Sequence, residues 1–213
     1  MKVLVIGANG KIGKRLIKKL KQSPHNPVAM LRKEEQVAEL NKKGIQTVLA
    51  DLEGNFEHAF EGVNAVVFTA GSGGHTGADK THLVDRLGAK KAVDMAVKHN
   101  LDRFIMVSAF GADYSSDKWP DSMRHYYEAK ADADNHLMQT NLNYTIIKPG
   151  RLTDESGTNN ISIGVDVGQE KGSIPRADVA TVIEKIITKD NTFKNAYELV
   201  SGETSIDRAL STL

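Results

Sequence analysis

The chain has no cysteine, one tryptophan and five prolines among its 213 residues. Without thiols there is no disulfide framework, no cysteine nucleophile and no cysteine-held zinc, and no metal site is expected. A cysteine-free chain suits a reducing cytoplasm, the compartment expected here. Aromatic residues make up only 6%, and no nucleic-acid motif sets them among basic residues, so nucleic acid is not an expected partner. No apolar run approaches the ~20 residues of a membrane helix. Met1-Lys2 leads straight into an apolar run, leaving no room for a signal peptide. No membrane partner is expected either.

Strong charge of one sign is also missing, since the formal net charge is +1. Its distribution is uneven. Residues 1–106 carry 17 Lys/Arg against 11 Asp/Glu, and residues 107–213 carry 11 against 16. Seven basic residues and no acid fall in the first 21. Lys14, Lys18, Lys19 and Lys21 suit a solvated helix face, or a positive field around a phosphate-rich ligand. Hydrophobic content of 40% and charged content of 26% are ordinary for one globular domain with a real core.

What the chain does have is Gly7-Ala8-Asn9-Gly10-Lys11-Ile12-Gly13, after the apolar run Val3-Leu4-Val5-Ile6. An amphipathic stretch follows, with Ile12, Leu16 and Leu20 four residues apart. Strand, glycine turn and helix in that order mark a phosphate site. Gly7 allows the tight turn, Gly10 lets backbone approach a pyrophosphate, and Gly13 lets the helix sit close on the strand. The helix start adds unpaired N–H groups and a positive dipole end.

Apolar runs and amphipathic stretches then alternate. Strands are expected at 2–6, 27–31, 46–49, 64–68, 103–107 and 143–147, with short late ones near 161–165 and 196–200. Helices are expected at 11–21, 34–43, 56–60, 80–99, 122–140 and 177–188. This alternation predicts an α/β fold: a doubly wound parallel sheet of Rossmann type with helices on both faces. It reads as one domain over 1–213, in which about 149–175 and 190–213 contribute a small C-terminal lobe on the substrate side.

Ligands of such a sheet bind beyond the carboxyl ends of the strands. The second strand ends at Arg32, where NAD enzymes usually carry an acid for the ribose hydroxyl. An arginine instead suits a 2′-phosphate, unless it is simply an exposed strand-end residue. Lys11 can add a second charge. Asp51 and Leu52, after the third strand, suit adenine, or Asp51 is a turn residue capping the next helix. Ala70 and Gly71, after the fourth, let backbone approach a ribose. His75, in the glycine-rich loop that follows, is a candidate acid/base or a solvent-exposed loop residue. Ser108 ends the fifth strand. Tyr126 and Lys130 lie four apart on a helix and so share a face. An ammonium beside a phenol favours acid–base work during hydride transfer to or from a carbonyl carbon. Tyr127 competes for the role but has no lysine four residues on.

In this order the pieces resemble the short-chain dehydrogenase/reductase (SDR) superfamily, in its atypical, NmrA-like, NAD(P)-binding branch. Biliverdin-IXβ/flavin reductase-like proteins and small bacterial proteins labelled NAD-dependent epimerase/dehydratase lie nearby. Besides the glycine turn, the matching stretches are Val107–Ala112, Tyr126–Lys130, Tyr144–Leu152, Ile174–Ala180 and Tyr197–Gly202. The resemblance implies that Gly7, Asn9, Gly10, Lys11 and Ile12 surround the pyrophosphate. Arg32 would meet the 2′-phosphate, Asp51 and Leu52 the adenine, and Ala70 and Gly71 the ribose. Pro149 to Leu152 would pass the nicotinamide, with Lys130 also on its ribose. Ser108, Tyr126 and Lys130 would form the catalytic set. The family often has further hydroxyls after the first, whereas Ala109 and Phe110 follow here. Large epimerases of the superfamily add a substrate domain and reach ~300 residues, beyond this chain's length.

The expected function is NADPH-dependent hydride transfer to a small carbonyl, quinone or flavin-like acceptor, with NAD as the possible other cofactor. The alternative is a non-catalytic NADP(H)-sensing regulator. The expected partner is a small-molecule substrate. Neither its identity nor the choice between monomer and homo-oligomer follows from the sequence.

Overall fold

An unbroken apolar run such as Val3-Leu4-Val5-Ile6 makes a strand that must be covered on both faces, because successive side chains point opposite ways. The computed structural model describes residues 1–73, 76–113, 116–168 and 172–213. In it Val3 and Val5 enter one core with Leu16, Ile17 and Val179. Leu4 and Ile6 enter a second with Phe68, Val93 and Phe104.

This strand, β1 (Lys2–Ile6), lies inside a mainly parallel sheet. On one side it pairs with β2 (Asn26–Leu31), which pairs with β3 (Gln46–Leu49). On the other side follow β4 (Ala65–Phe68), β5 (Arg103–Val107), β6 (Asn143–Pro149) and β10 (Asn195–Ser201). The chain therefore leaves β1 first to one side and later to the other. The carboxyl ends of β1 and β4 form the switch point where a crevice opens.

The first core lies under α1 (Lys11–Lys21) and α6 (Arg176–Ile186). The second lies under α4 (Ala89–Lys98) and α5 (Arg124–Met138). Gly13 sets how close α1 comes. A Cβ there would stand 2.2 Å from the Gly7 carbonyl oxygen and 2.8 Å from the Ala8 Cα. Both neighbours are backbone and cannot swing aside.

The doubly wound parallel sheet expected from the alternation is present, and three local expectations are corrected. The helix expected at 56–60 is a 3₁₀ turn, Glu57–Phe60, since a stretch that short gains too few bonds to nucleate an α-helix. The helix expected at 80–99 is not regular: α3 (Ala78–Lys80) runs into a π-helical segment, Thr81–Gly88, and then into α4. The late chain has more strands than expected. β8 (Asn160–Gly164) joins β10 antiparallel and β11 (Thr204–Ser205) joins β8, so both extend the main sheet. β7 (Arg151–Thr153) and β9 (Ser173–Pro175) form a separate parallel ribbon. Three-residue strands are too short to show an alternating pattern.

Gly13→Ala is expected to destabilise the protein by at least about 1–3 kcal/mol, the usual cost of overpacking. Gly54, whose added Cβ would meet nothing closer than 3.7 Å, is the control. Gly54→Ala should stay within about 0.5 kcal/mol of wild type in urea unfolding.

Candidate dinucleotide site

The turn after β1 is built for close approach. Gly7 has φ +87°, and a Cβ on it would lie 2.5 Å from the Ala70 backbone nitrogen. The Gly10 N–H donates to the Gly7 carbonyl at 2.9 Å, and Gly10 precedes α1 without any side-chain cap. The first N–H groups of α1 have no carbonyl of their own helix to meet, and its first turn carries no acid. An anion suits that end.

From this turn a cleft of about 370 Å³ runs across the ends of β1, β2, β3 and β4. It brings together Gly7, Asn9, Gly10, Arg32, Asp51, Leu52, Ala70 and Gly71. Arg32 is exposed and has no hydrogen-bond or ion-pair partner among the described residues. Asp51 caps no helix, since the next helical turn, Glu57–Phe60, begins after Phe56 without a side-chain cap. Asp51 lines the cleft, and its carboxylate accepts the Glu53 N–H at 3.0 Å within its own turn. Leu52 is buried and held from behind, where Lys91 Nζ donates to its carbonyl at 3.0 Å. Gln36, Glu53 and Lys80 also line the cleft, with Lys80 Nζ 2.8 Å from Glu53 Oε1. No motif marks these three: Gln36 lies in α2 (Glu34–Lys42), Glu53 in the turn after β3 and Lys80 at the end of α3.

The remaining residues expected at the turn sit differently. Ile12 is buried in the first core, so only its backbone belongs to the cradle. Gly13 faces Gly7. Lys11 reaches away from the turn to Asp154, 2.5 Å from its Oδ2, where Arg15 and Arg176 also converge. Lys11, Arg176 and Arg15 hold that exposed carboxyl below its usual range, led by the hydrogen bond from Lys11.

Beyond the cleft, at the ends of β5 and β6, stand Ser108, Lys130, Tyr126 and Pro149. Lys130 is buried. Its Nζ lies 3.0 Å from Asp85 Oδ1, 3.4 Å from the Val107 carbonyl and 5.7 Å from the centre of the Tyr126 ring. Burial alone would lower its pKa, but Tyr126, Asp85 and Asp134 outweigh that and raise it above the ordinary lysine value. Tyr126 is half-buried. Tyr127 is buried with Ala109 and Ala112, its ring stacked on Trp119. Pro149 is buried, and its carbonyl accepts the Phe110 N–H at 3.1 Å. His75 lies outside the described residues.

Ser108 is engaged below the surface. Its Oγ donates to Asp134 Oδ2 at 2.6 Å, and both residues are buried. Asp134 lies four residues after Lys130, on the same helix face, a signal the spacing held but no motif marked. Lys148, also buried, reaches Asp113 at 2.9 Å. Among the described residues no group of three or more His, Cys, Asp and Glu is arranged to hold a metal, and no helix is long and apolar enough to cross a membrane.

Burial raises the Asp134 carboxyl to a pKa of about 6, against the opposing bond from Ser108 and the charges of Lys148 and Lys130. The unfolded chain releases this proton near 3.8. The folded state therefore binds more protons between those values, and stability falls as pH rises through that window. Asp134→Asn removes this contribution. Melting temperatures of the two proteins should diverge from pH 4 to pH 6.5, with the variant more stable above pH 6.5 by at most roughly 3 kcal/mol.

Comparison with known proteins agrees with the geometry. Residues 7–190 match a family described as NAD(P)H-binding. A Bacillus subtilis protein bearing the name uncharacterized sugar epimerase YhfK is 46% identical over 217 residues, covering 100% of both chains. A solved Bacillus halodurans structure, named provisionally as a NAD-dependent epimerase/dehydratase, superposes with a TM-score of 0.96 at 44% identity over 100% of both chains. A Lactococcus lactis structure described as the oxidoreductase ylbE gives a TM-score of 0.88 at 33% identity, covering 100% of this chain and 96% of that one. With full-length matches at this identity, the chain belongs to the NAD(P)H-binding family.

Proposed function

We propose that the protein is an NADPH-dependent oxidoreductase that reduces a small carbonyl, quinone or flavin-like acceptor. The observation that carries the cofactor choice is Arg32, a cation without a partner among the described residues, on the wall of the adenine cleft. A 2′-phosphate would give it a charge-assisted, bidentate partner. NADH would leave it as it is.

The residues fit the dinucleotide in sequence along the crevice. The Gly7–Gly10 backbone and the start of α1 receive the pyrophosphate, and Asp51 and Leu52 the adenine. Ala70 and Gly71 give room at a ribose, and Pro149 borders the nicotinamide. Reduced nicotinamide, when bound, supplies a hydride, the two electrons the acceptor gains. Lys130 binds the neighbouring ribose. Tyr126, whose ring centre stands 5.7 Å from Lys130 Nζ, gives a proton to the acceptor oxygen. Ser108 serves by tying β5 to α5 through Asp134, which keeps Lys130 and Tyr126 at the strand end. Holding donor and acceptor side by side supplies much of the remaining rate.

Titration with NADPH and NADH, followed by nicotinamide fluorescence, tests the cofactor choice. NADPH should bind at least ~10-fold tighter, about 1.4 kcal/mol. Arg32→Ala should abolish the difference by weakening NADPH alone. Failure to bind either dinucleotide would overturn the reading.

Steady-state turnover with aldehydes, quinones and flavins tests the chemistry. With a carbonyl acceptor, Tyr126→Phe should lower kcat on the order of 10²–10⁴-fold. A protein that binds NADPH but reduces no acceptor would instead be a sensor.

A further inference from the structure

The glycine turn and Arg32 account for one end of the crevice. At the other end lies a buried carboxylate that belongs to none of the motifs. Asp85 is 1% exposed and sits in the π-helical segment Thr81–Gly88. Its Oδ2 accepts the Ser72 N–H at 2.9 Å. Its Oδ1 lies 3.0 Å from Lys130 Nζ. A Cβ on Gly71 would come within 3.2 Å of the same oxygen. One side chain thus touches both the loop that leaves β4 and the lysine of α5.

Its place follows from the helix geometry. In a π turn the chain takes up an extra residue, and such turns recur at functional sites. Here Gly88 and Ala89, neighbours in sequence, are both packed inward: Gly88 against Leu52 and Ala89 in the second core. Thr81, Val84, Asp85 and Gly88 are the buried residues of this segment, and the same face continues into Ala89, Ala92 and Val93 of α4. Val84 lines the adenine cleft.

Stability alone does not explain a buried ion pair here. A well-packed apolar pair of similar volume is often as stable, because desolvating two charges costs about what their attraction returns. The pair instead stands at the carboxyl ends of β4 and β5, where a ligand of this fold binds. We propose that Asp85 is a positioning residue for the nicotinamide end of the site, locking Lys130 and the Gly71–Ser72 backbone into one unit that receives the ribose. This rests on the dinucleotide reading above, and Asp85 acts through these two partners without touching the cofactor itself.

The test compares two probes by calorimetry at fixed salt: NADPH, which spans the crevice, and adenosine 2′,5′-bisphosphate, which carries only the adenine half. Asp85→Asn should weaken NADPH about tenfold or more and leave the bisphosphate within about twofold. Lys130→Gln should behave in the same way. The double variant D85N/K130Q leaves no orphan charge and should bind NADPH no more weakly than K130Q alone, because the two act as one unit. Unchanged NADPH affinity in D85N would overturn the proposal. So would equal weakening of both probes, the mark of a merely structural residue. If D85N does not fold, the comparison of K130Q with the double variant decides, and a further loss in the double variant overturns it. Wild-type protein that binds neither probe would refute the dinucleotide reading itself.

Discussion

Everything at this crevice depends on how near one helix comes to one strand. Gly13 and Gly7 meet backbone to backbone, and Gly7 in turn meets Ala70 at the end of β4. Three pieces of main chain share a space that a single methyl group would fill. This contact fixes where α1 begins, and so where its free N–H groups point. It also fixes the distance from the β1 turn to the β4 loop, across which any dinucleotide must lie. The apolar alternation of β1 secures the contact from below, with one set of side chains under α1 and the other under α4.

The two ends of the crevice have opposite electrostatic characters. In the cleft at the ends of β1 to β4 the charges are exposed: Arg32 stands without a partner among the described residues, and Lys80 and Glu53 pair at the surface. At the ends of β5 and β6 the lysines are buried and balanced, Lys130 against the buried Asp85 and Lys148 against the exposed Asp113. Exposed charge is cheap to maintain and is screened by salt. Buried charge is tolerated only when paired and hydrogen-bonded. The first arrangement leaves a cation open to an anion, and the second presents a fixed shape. The crevice therefore has a screened, exposed side and a buried, fixed side.

The parallel sheet, the glycine turn and many of the residues that line the cleft could be read from residue order, because they rest on local rules. Apolar runs, glycine spacing and the position after each strand carry that information in a few consecutive residues. The buried polar pairs could not be read in this way. Asp85 falls on the buried face of a long amphipathic stretch, with Thr81, Val84, Gly88 and Ala89, and nothing in that spacing says that its carboxylate meets Lys130. Asp134 shares a helix face with Lys130, but nothing in the spacing says that Ser108, 26 residues earlier, donates to it. Lys11 illustrates the converse. Its position in the turn suggested a phosphate contact, whereas its side chain is long enough to reach Asp154, 143 residues away. Partners distant in sequence are settled by the tertiary fold, and single-sequence patterns do not encode them.

The π turn also makes this site sensitive to chain length in a way that composition does not convey. An α-helix advances about 100° per residue. Removing one residue between Thr81 and Gly88 would restore a regular helix, and either Asp85 or the apolar face of α4 would have to rotate by that angle. Point substitutions throughout the segment leave this phase intact, whereas a single-codon deletion does not. In this chain the number of residues between the β4 loop and β5 therefore holds the carboxylate in place as much as the choice of aspartate does.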